Sequence, residues 1–113
     1  SEFKIYAEQI VANAKALAES LKSKGLKVYG TENHLMVVDV GFEKGKEIAV
    51  KLEENGIIVN ANTIPHDKGS PFKPSGIRIG TPAMTTRGWK EADFEKLGQR
   101  INVIIGVREG VDN

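Results

Sequence analysis

The sequence predicts an α/β fold: an α+β two-layer sandwich in which a small, largely antiparallel sheet carries helices on one face. Three observations lead there. An apolar stripe with helical spacing opens the chain, short β-branched runs alternate with further helical stretches, and glycines or prolines punctuate nearly every junction. With 113 residues the chain reads as one domain over 1–113, divided into a long leading helix (1–25) and an α/β body (26–113).

Phe3, Ala7, Ile10, Ala14, Leu17 and Leu21 step by four and three, which predicts an amphipathic helix of about five turns that Gly25 ends. A coiled-coil seam has the same spacing, but three heptads with alanine at two seam positions favour packing on a sheet or a neighbouring domain. Lys27-Val28-Tyr29 and Leu35–Val40 read as strands around a turn at Gly30-Thr31-Glu32-Asn33-His34. A second helix is expected from Lys46 to Asn55, burying Ile48, Ala49 and Leu52 and stopped by Gly56. Ile57-Ile58-Val59 reads as a β-branched strand, and Asn60–Ser75, with Pro65, Pro71 and Pro74, as a long loop of the kind that tends to carry function. Ser75-Gly76-Ile77-Arg78-Ile79-Gly80 is a further strand, Thr81-Pro82 starts a helical turn, and Glu91–Val107 forms the last helix over Phe94, Leu97, Ile101, Ile104 and Ile105.

Composition excludes several classes of function. A formal net charge of +1, with both signs interspersed, gives no support for nucleic-acid or anionic-membrane binding. The absence of cysteine removes disulfides, thiolate nucleophiles and cysteine metal sites, and suits a cytoplasmic protein. No apolar run approaches the roughly 20 residues that span a bilayer, and Ser1-Glu2-Phe3-Lys4 is unlike a signal peptide.

Candidate chemistry centres on Arg78. In an extended strand Ile77 and Ile79 point to one face and Arg78 to the other, and the flanking glycines leave room for a ligand or another backbone. A guanidinium fork fits a carboxylate or phosphate through two hydrogen bonds, which lysine cannot copy. The competing reading is a half-exposed edge strand whose arginine reaches solvent. Asn60 and Asn62 flank Ala61 and project to one side, suiting a ligand with mixed donors and acceptors or an ordinary loop. His34 reads as a turn residue, and His66, beside Asp67, as a solvated loop histidine or an acid–base group. Neither histidine belongs to a zinc-binding pattern, and no phosphate-cradling glycine motif occurs. Thr85-Thr86-Arg87-Gly88 has the hydroxyls and cation for an anion site, though capping explains them equally well.

Read together, several segments resemble one family. Phe3-Lys4, Asn13-Ala14-Lys15-Ala16-Leu17-Ala18, Asn33-His34-Leu35, Asn60-Ala61-Asn62, Ile64-Pro65, Ser75–Ala83 and Thr86-Arg87-Gly88 follow the order found in serine (glycine) hydroxymethyltransferase. The resemblance spans nearly the whole chain but covers only that family's C-terminal small domain and the helix leading into it. It implies the small-domain fold of fold-type-I pyridoxal-phosphate enzymes, which here interconvert serine and glycine and pass the one-carbon unit to a tetrahydropterin.

By that resemblance Arg78 corresponds to the arginine that binds the carboxylate of the amino-acid substrate. Asn62 corresponds to an amide contacting the folate cosubstrate, and Arg87 to a structural arginine at a domain interface. Glu32, Tyr29 and His66 depart from the family's usual residues, leaving tetrahydrofolate and a modified archaeal pterin both open. The family's cofactor-attachment lysine, in a Thr-His-Lys segment, belongs to its large domain and has no counterpart here. The isolated chain is therefore expected to hold no catalytic residue and to be inactive alone. Its implied partners are the large pyridoxal-phosphate domain and, in the intact enzyme, a second subunit or more. Without the large domain, apolar surface near the first helix and around Arg78 should be exposed. The alternative is a free-standing carboxylate-binding or assembly module of the same ancestry.

Overall fold

The computed structural model describes residues 1–30 and 35–112, without the side chains of 83 and 107–112. The elements run α1 (Glu2–Lys22), β1 (Val28–Tyr29), β2 (Leu35–Asp39), α2 (Gly45–Glu54), β3 (Asn60–Asn62), β4 (Gly76–Gly80), α3 (Pro82–Thr86) and α4 (Glu91–Asp112). The four strands form one sheet in the order β1-β2-β4-β3, with every neighbouring pair antiparallel. This is the predicted fold class.

One face of the sheet is the floor of the core. Met36, Val38, Ile77 and Ile79 are buried there beneath Leu17 and Leu21 of α1, Ile48 and Leu52 of α2, and Phe94, Ile101 and Ile105 of α4. The helical layer is itself held by a close crossing. Gly98 lies so near Ser20 that a Cβ at 98 would collide with the serine side chain. At that point Ser20 Oγ donates to the Glu95 carbonyl (2.7 Å) and Asn102 Nδ2 donates to the Ser20 carbonyl (3.0 Å).

Two expectations need correction. Ile57–Val59 is not a strand; β3 is Asn60–Asn62, so the long loop begins at 63 rather than 60. The reason lies in the end of α2. Gly56 takes φ +82°, its amide donates to the Glu53 carbonyl, and the Ile57 amide donates to the Leu52 carbonyl. That paired closure commits Ile57 to the helix cap, with its side chain buried near Leu52, and leaves Ile58 75% exposed on the way to the sheet. The apolar stripe of α1 is buried in its second half, where Ala14, Leu17 and Leu21 are covered, whereas Phe3 is 80% exposed, in line with the apolar surface expected near the first helix. Periodicity predicts the helix but not how far its partner reaches. Finally, α4 runs beyond Val107 to Asp112.

The Ser20–Gly98 crossing sets a stability prediction. Gly98→Val should lower unfolding free energy by about 1–3 kcal/mol through overpacking. Gly106→Ala, where an added Cβ meets nothing within 4 Å, should raise it by up to about 1 kcal/mol through helix propensity. Chemical denaturation of the two variants checks both signs.

Candidate functional site

The pairing register brings the predicted residues to the face of the sheet opposite the helices. Directly opposed residues of an antiparallel pair share a face. Tyr29 pairs with Val37, Val37 with Arg78, and Asn60 with Arg78, so these four form one row across the sheet. Asn62, paired with Gly76, lies one step further along the same face. Arg78 is thus not on an edge: β4 is an inner strand, hydrogen-bonded to β2 on one side and β3 on the other. Its side chain is exposed, and it has no hydrogen-bond or ion-pair partner among the described residues. Asn60 and Asn62 do project together; half-buried Asn62 donates from Nδ2 to the Thr63 carbonyl (2.8 Å), and its amide oxygen accepts no hydrogen bond among the described residues.

After β3 the chain folds back across this face. A Cβ at Gly76 would stand 2.7 Å from the Ile64 side chain and 2.9 Å from the carbonyls of Asn62 and Val38. The room beside Arg78 is therefore used by the protein's own loop as well as by neighbouring strands. A pocket of about 420 Å³ remains between Tyr29, Leu35 and Val37 on the sheet and Thr63, Ile64 and Pro65 of the loop. A smaller one of about 230 Å³ lies among Lys27, Asp39, Phe42, His66, Asp67 and Lys68. A larger cavity, about 550 Å³, is an open groove between α1 and α4 with none of the predicted site residues in it.

The loop is fastened by one carboxylate. Asp67 Oδ2 accepts from the amides of Ile64 (3.2 Å) and Ser75 (2.9 Å), and Oδ1 from the Gly69 amide (2.8 Å) and the Ser75 hydroxyl (2.7 Å). The Ser75 hydroxyl, followed by the Gly69 amide, does most to lower the Asp67 pKa from 3.8 to about 2. Ser75 Oγ in turn accepts from the Glu43 amide (3.0 Å), tying in the turn before α2. Beside this latch His66 is exposed in a left-handed conformation, φ 57°. Asp67 escaped the sequence reading, although an aspartate two residues before a glycine signals a side-chain-closed turn.

The remaining candidates have structural partners. Thr85 Oγ1 donates to the Thr81 carbonyl and accepts from Asn13 Nδ2 (both 2.9 Å), and Thr86 Oγ1 pairs with the Tyr6 hydroxyl (2.6 Å). Those hydroxyls are therefore taken up in joining α1 to α3 rather than lining an anion site. Arg87 is exposed and donates to Met84 Sδ (3.8 Å). Fully buried Asn13 also donates to the Trp89 carbonyl (3.0 Å) and accepts from Gln9 (2.8 Å). Gln9 reaches Glu91 (2.7 Å) and holds that carboxyl below its usual range. Nothing local in the sequence marks Asn13 as this junction, because its partners are more than 70 residues away. His34 lies outside the described residues. Among the described residues, no group of three His, Cys, Asp or Glu is placed to hold a metal. No helix there is long and apolar enough to cross a membrane.

Comparison with known proteins gives a consistent result. The family model for serine hydroxymethyltransferase matches residues 1–101. A serine hydroxymethyltransferase of Novosphingobium aromaticivorans is 50% identical over 111 residues, covering 92% of this chain and 25% of that protein. Those of Rickettsia akari and Rickettsia rickettsii are 46% and 45% identical over 117 residues, covering 99% of this chain and 28% of each relative. The chain thus spans about a quarter of the length of the curated relatives it matches.

The Asp67 latch has a pH signature. Because its folded-state pKa is depressed, its contribution to stability is fully present above about pH 4 and fades as pH falls toward 2. The stability difference between the wild type and Asp67→Asn should therefore shrink across that window when denaturation is followed against pH. A constant difference from pH 6 to pH 2 would assign acid sensitivity to other groups.

Proposed function

Because this chain belongs to the serine hydroxymethyltransferase family, we propose that it is the C-terminal part of a cytoplasmic pyridoxal-phosphate enzyme. That enzyme interconverts serine and glycine and passes the one-carbon unit to tetrahydrofolate or a related pterin. The observation that carries the reading is Arg78: a guanidinium without a described partner, on an inner strand fixed from both sides, with Asn60 and Asn62 on the same face. Such a fork takes the carboxylate of an amino acid through two parallel hydrogen bonds. Held in that way, the substrate is oriented at its Cα, and the gain comes from positioning. Asn62, whose amide oxygen accepts no hydrogen bond among the described residues, is the residue we assign to the pterin.

In the intact enzyme pyridoxal phosphate supplies the electron sink for bond cleavage at Cα. The lysines whose exposure is described here are all exposed or half-buried on helices and loops. None is the desolvated amine that covalent attachment favours, so the attachment lysine is assigned to the large domain and the isolated chain is inactive. The first half of α1 supports that partner. Phe3, Ile5 and Val11 are 80%, 66% and 57% exposed, an apolar surface for the remaining three-quarters of the enzyme to cover. A homodimer or larger assembly belongs to the intact enzyme in the same reading.

In the full-length enzyme Arg78→Ala should weaken serine binding by about 2–5 kcal/mol, the range for losing one partner of an enclosed charge pair. Arg78→Lys should recover only part, because an ammonium cannot make the paired contact. Equilibrium binding of serine and glycine measures both, and unchanged serine affinity in Arg78→Ala would defeat the assignment.

A further inference from the structure

The β3–β4 ladder is short: three residue pairs, ending at Asn62 opposite Gly76. Beyond that pair the two backbones part, yet two amides just past it still converge. Ile64, two residues after Asn62, and Ser75, one before Gly76, both donate to the same Asp67 oxygen. The carboxylate thus stands where the next rung of the ladder would be. Its second oxygen takes the Ser75 hydroxyl and the Gly69 amide. Ser75 meanwhile extends the other side of β4, its carbonyl accepting from the Val40 amide (2.9 Å) beyond the end of β2. The geometry points to Asp67 as a positioning residue that fixes the register of β3 against β4, and so the placement of Asn62 relative to Arg78. The inference rests on the assignment of Arg78 to the amino acid and Asn62 to the pterin, and adds that one remote carboxylate serves both. The low pKa of Asp67 fits this role, since the latch keeps its charge throughout the neutral range.

The test uses the full-length enzyme with serine and tetrahydrofolate as probes. Asp67→Asn keeps the side chain's size but cannot accept on both oxygens. Both affinities should fall together, on the order of 10- to 100-fold, as expected when a change away from the chemistry misplaces the binding groups. Hydrogen-exchange protection of the Ile64 and Ser75 amides should fall in parallel. Asp67→Asn/Arg78→Ala should bind serine no more weakly than Arg78→Ala alone, because the latch acts on serine through Arg78. Affinities within twofold of wild type despite lost protection overturn the inference, and so does an additive loss in the double variant. If Arg78→Ala alone leaves serine binding intact, the reading of Arg78 has failed, and tetrahydrofolate decides. Weakened pterin binding in Asp67→Asn then supports the latch, and unchanged binding overturns it. Should Asp67→Asn not fold, Ser75→Ala, which removes one of the four bonds, should give the same joint weakening at smaller size.

Discussion

Ile77 and Ile79 are buried while Arg78 between them is exposed, and this alternation in β4 is fixed by strands paired on both sides. A slip of one residue would put the guanidinium in the core and two isoleucines into water. Burying an unpaired charge is far more costly than losing an isoleucine's transfer energy, so the register has no nearby alternative. Every other element is arranged around that division. The helices cover the isoleucine side, and the loop from 63 to 75 crosses the arginine side.

The two sides are built differently. The helical side is close-packed, with Gly98 against Ser20 as its tightest point and an Asn13–Thr85–Trp89 polar junction at its margin. The open side is wired by hydrogen bonds to one carboxylate and keeps the Arg78 guanidinium exposed. A packed layer beneath an open face is an arrangement that can hold exposed side chains in fixed positions.

The parts legible in the sequence were those governed by short-range rules. Ile48 and Leu52, or Phe94, Ile101 and Ile105, lie on helical faces that repeat within a few residues, and Ile77-Arg78-Ile79 alternates as a strand must. Ile57–Val59 misled because β-branched composition predicts a strand, whereas the helix cap at Gly56 had already claimed the Ile57 amide. Phe3 belongs to the same stripe and stays uncovered, because a stripe says that a face is apolar, not that this chain covers it. Asn13 was out of reach because the partners that make it a junction are distant in sequence. For Asp67 the local turn to Gly69 was legible, and only its bonds to Ser75, which lies eight residues on, just before β4, were not. The position of Arg78 was legible from alternation. Its ligand was not, since a fork fits a phosphate as well as a carboxylate, and only the family resemblance separated them.

The Ser20–Glu95 bond joins residues 75 apart in sequence, whereas the Asp67–Ser75 bonds join residues 8 apart. Closing the longer span takes about 2 kcal/mol more chain entropy. The helical crossing thus closes a long stretch of chain and the Asp67 clasp a short one. The bonds that a parting of α1 from α4 would break, Ser20 to Glu95 and to Asn102, include none of the four to Asp67. The Arg78 face is thus fastened by bonds separate from those that clamp the helical layer, which lets the two open independently.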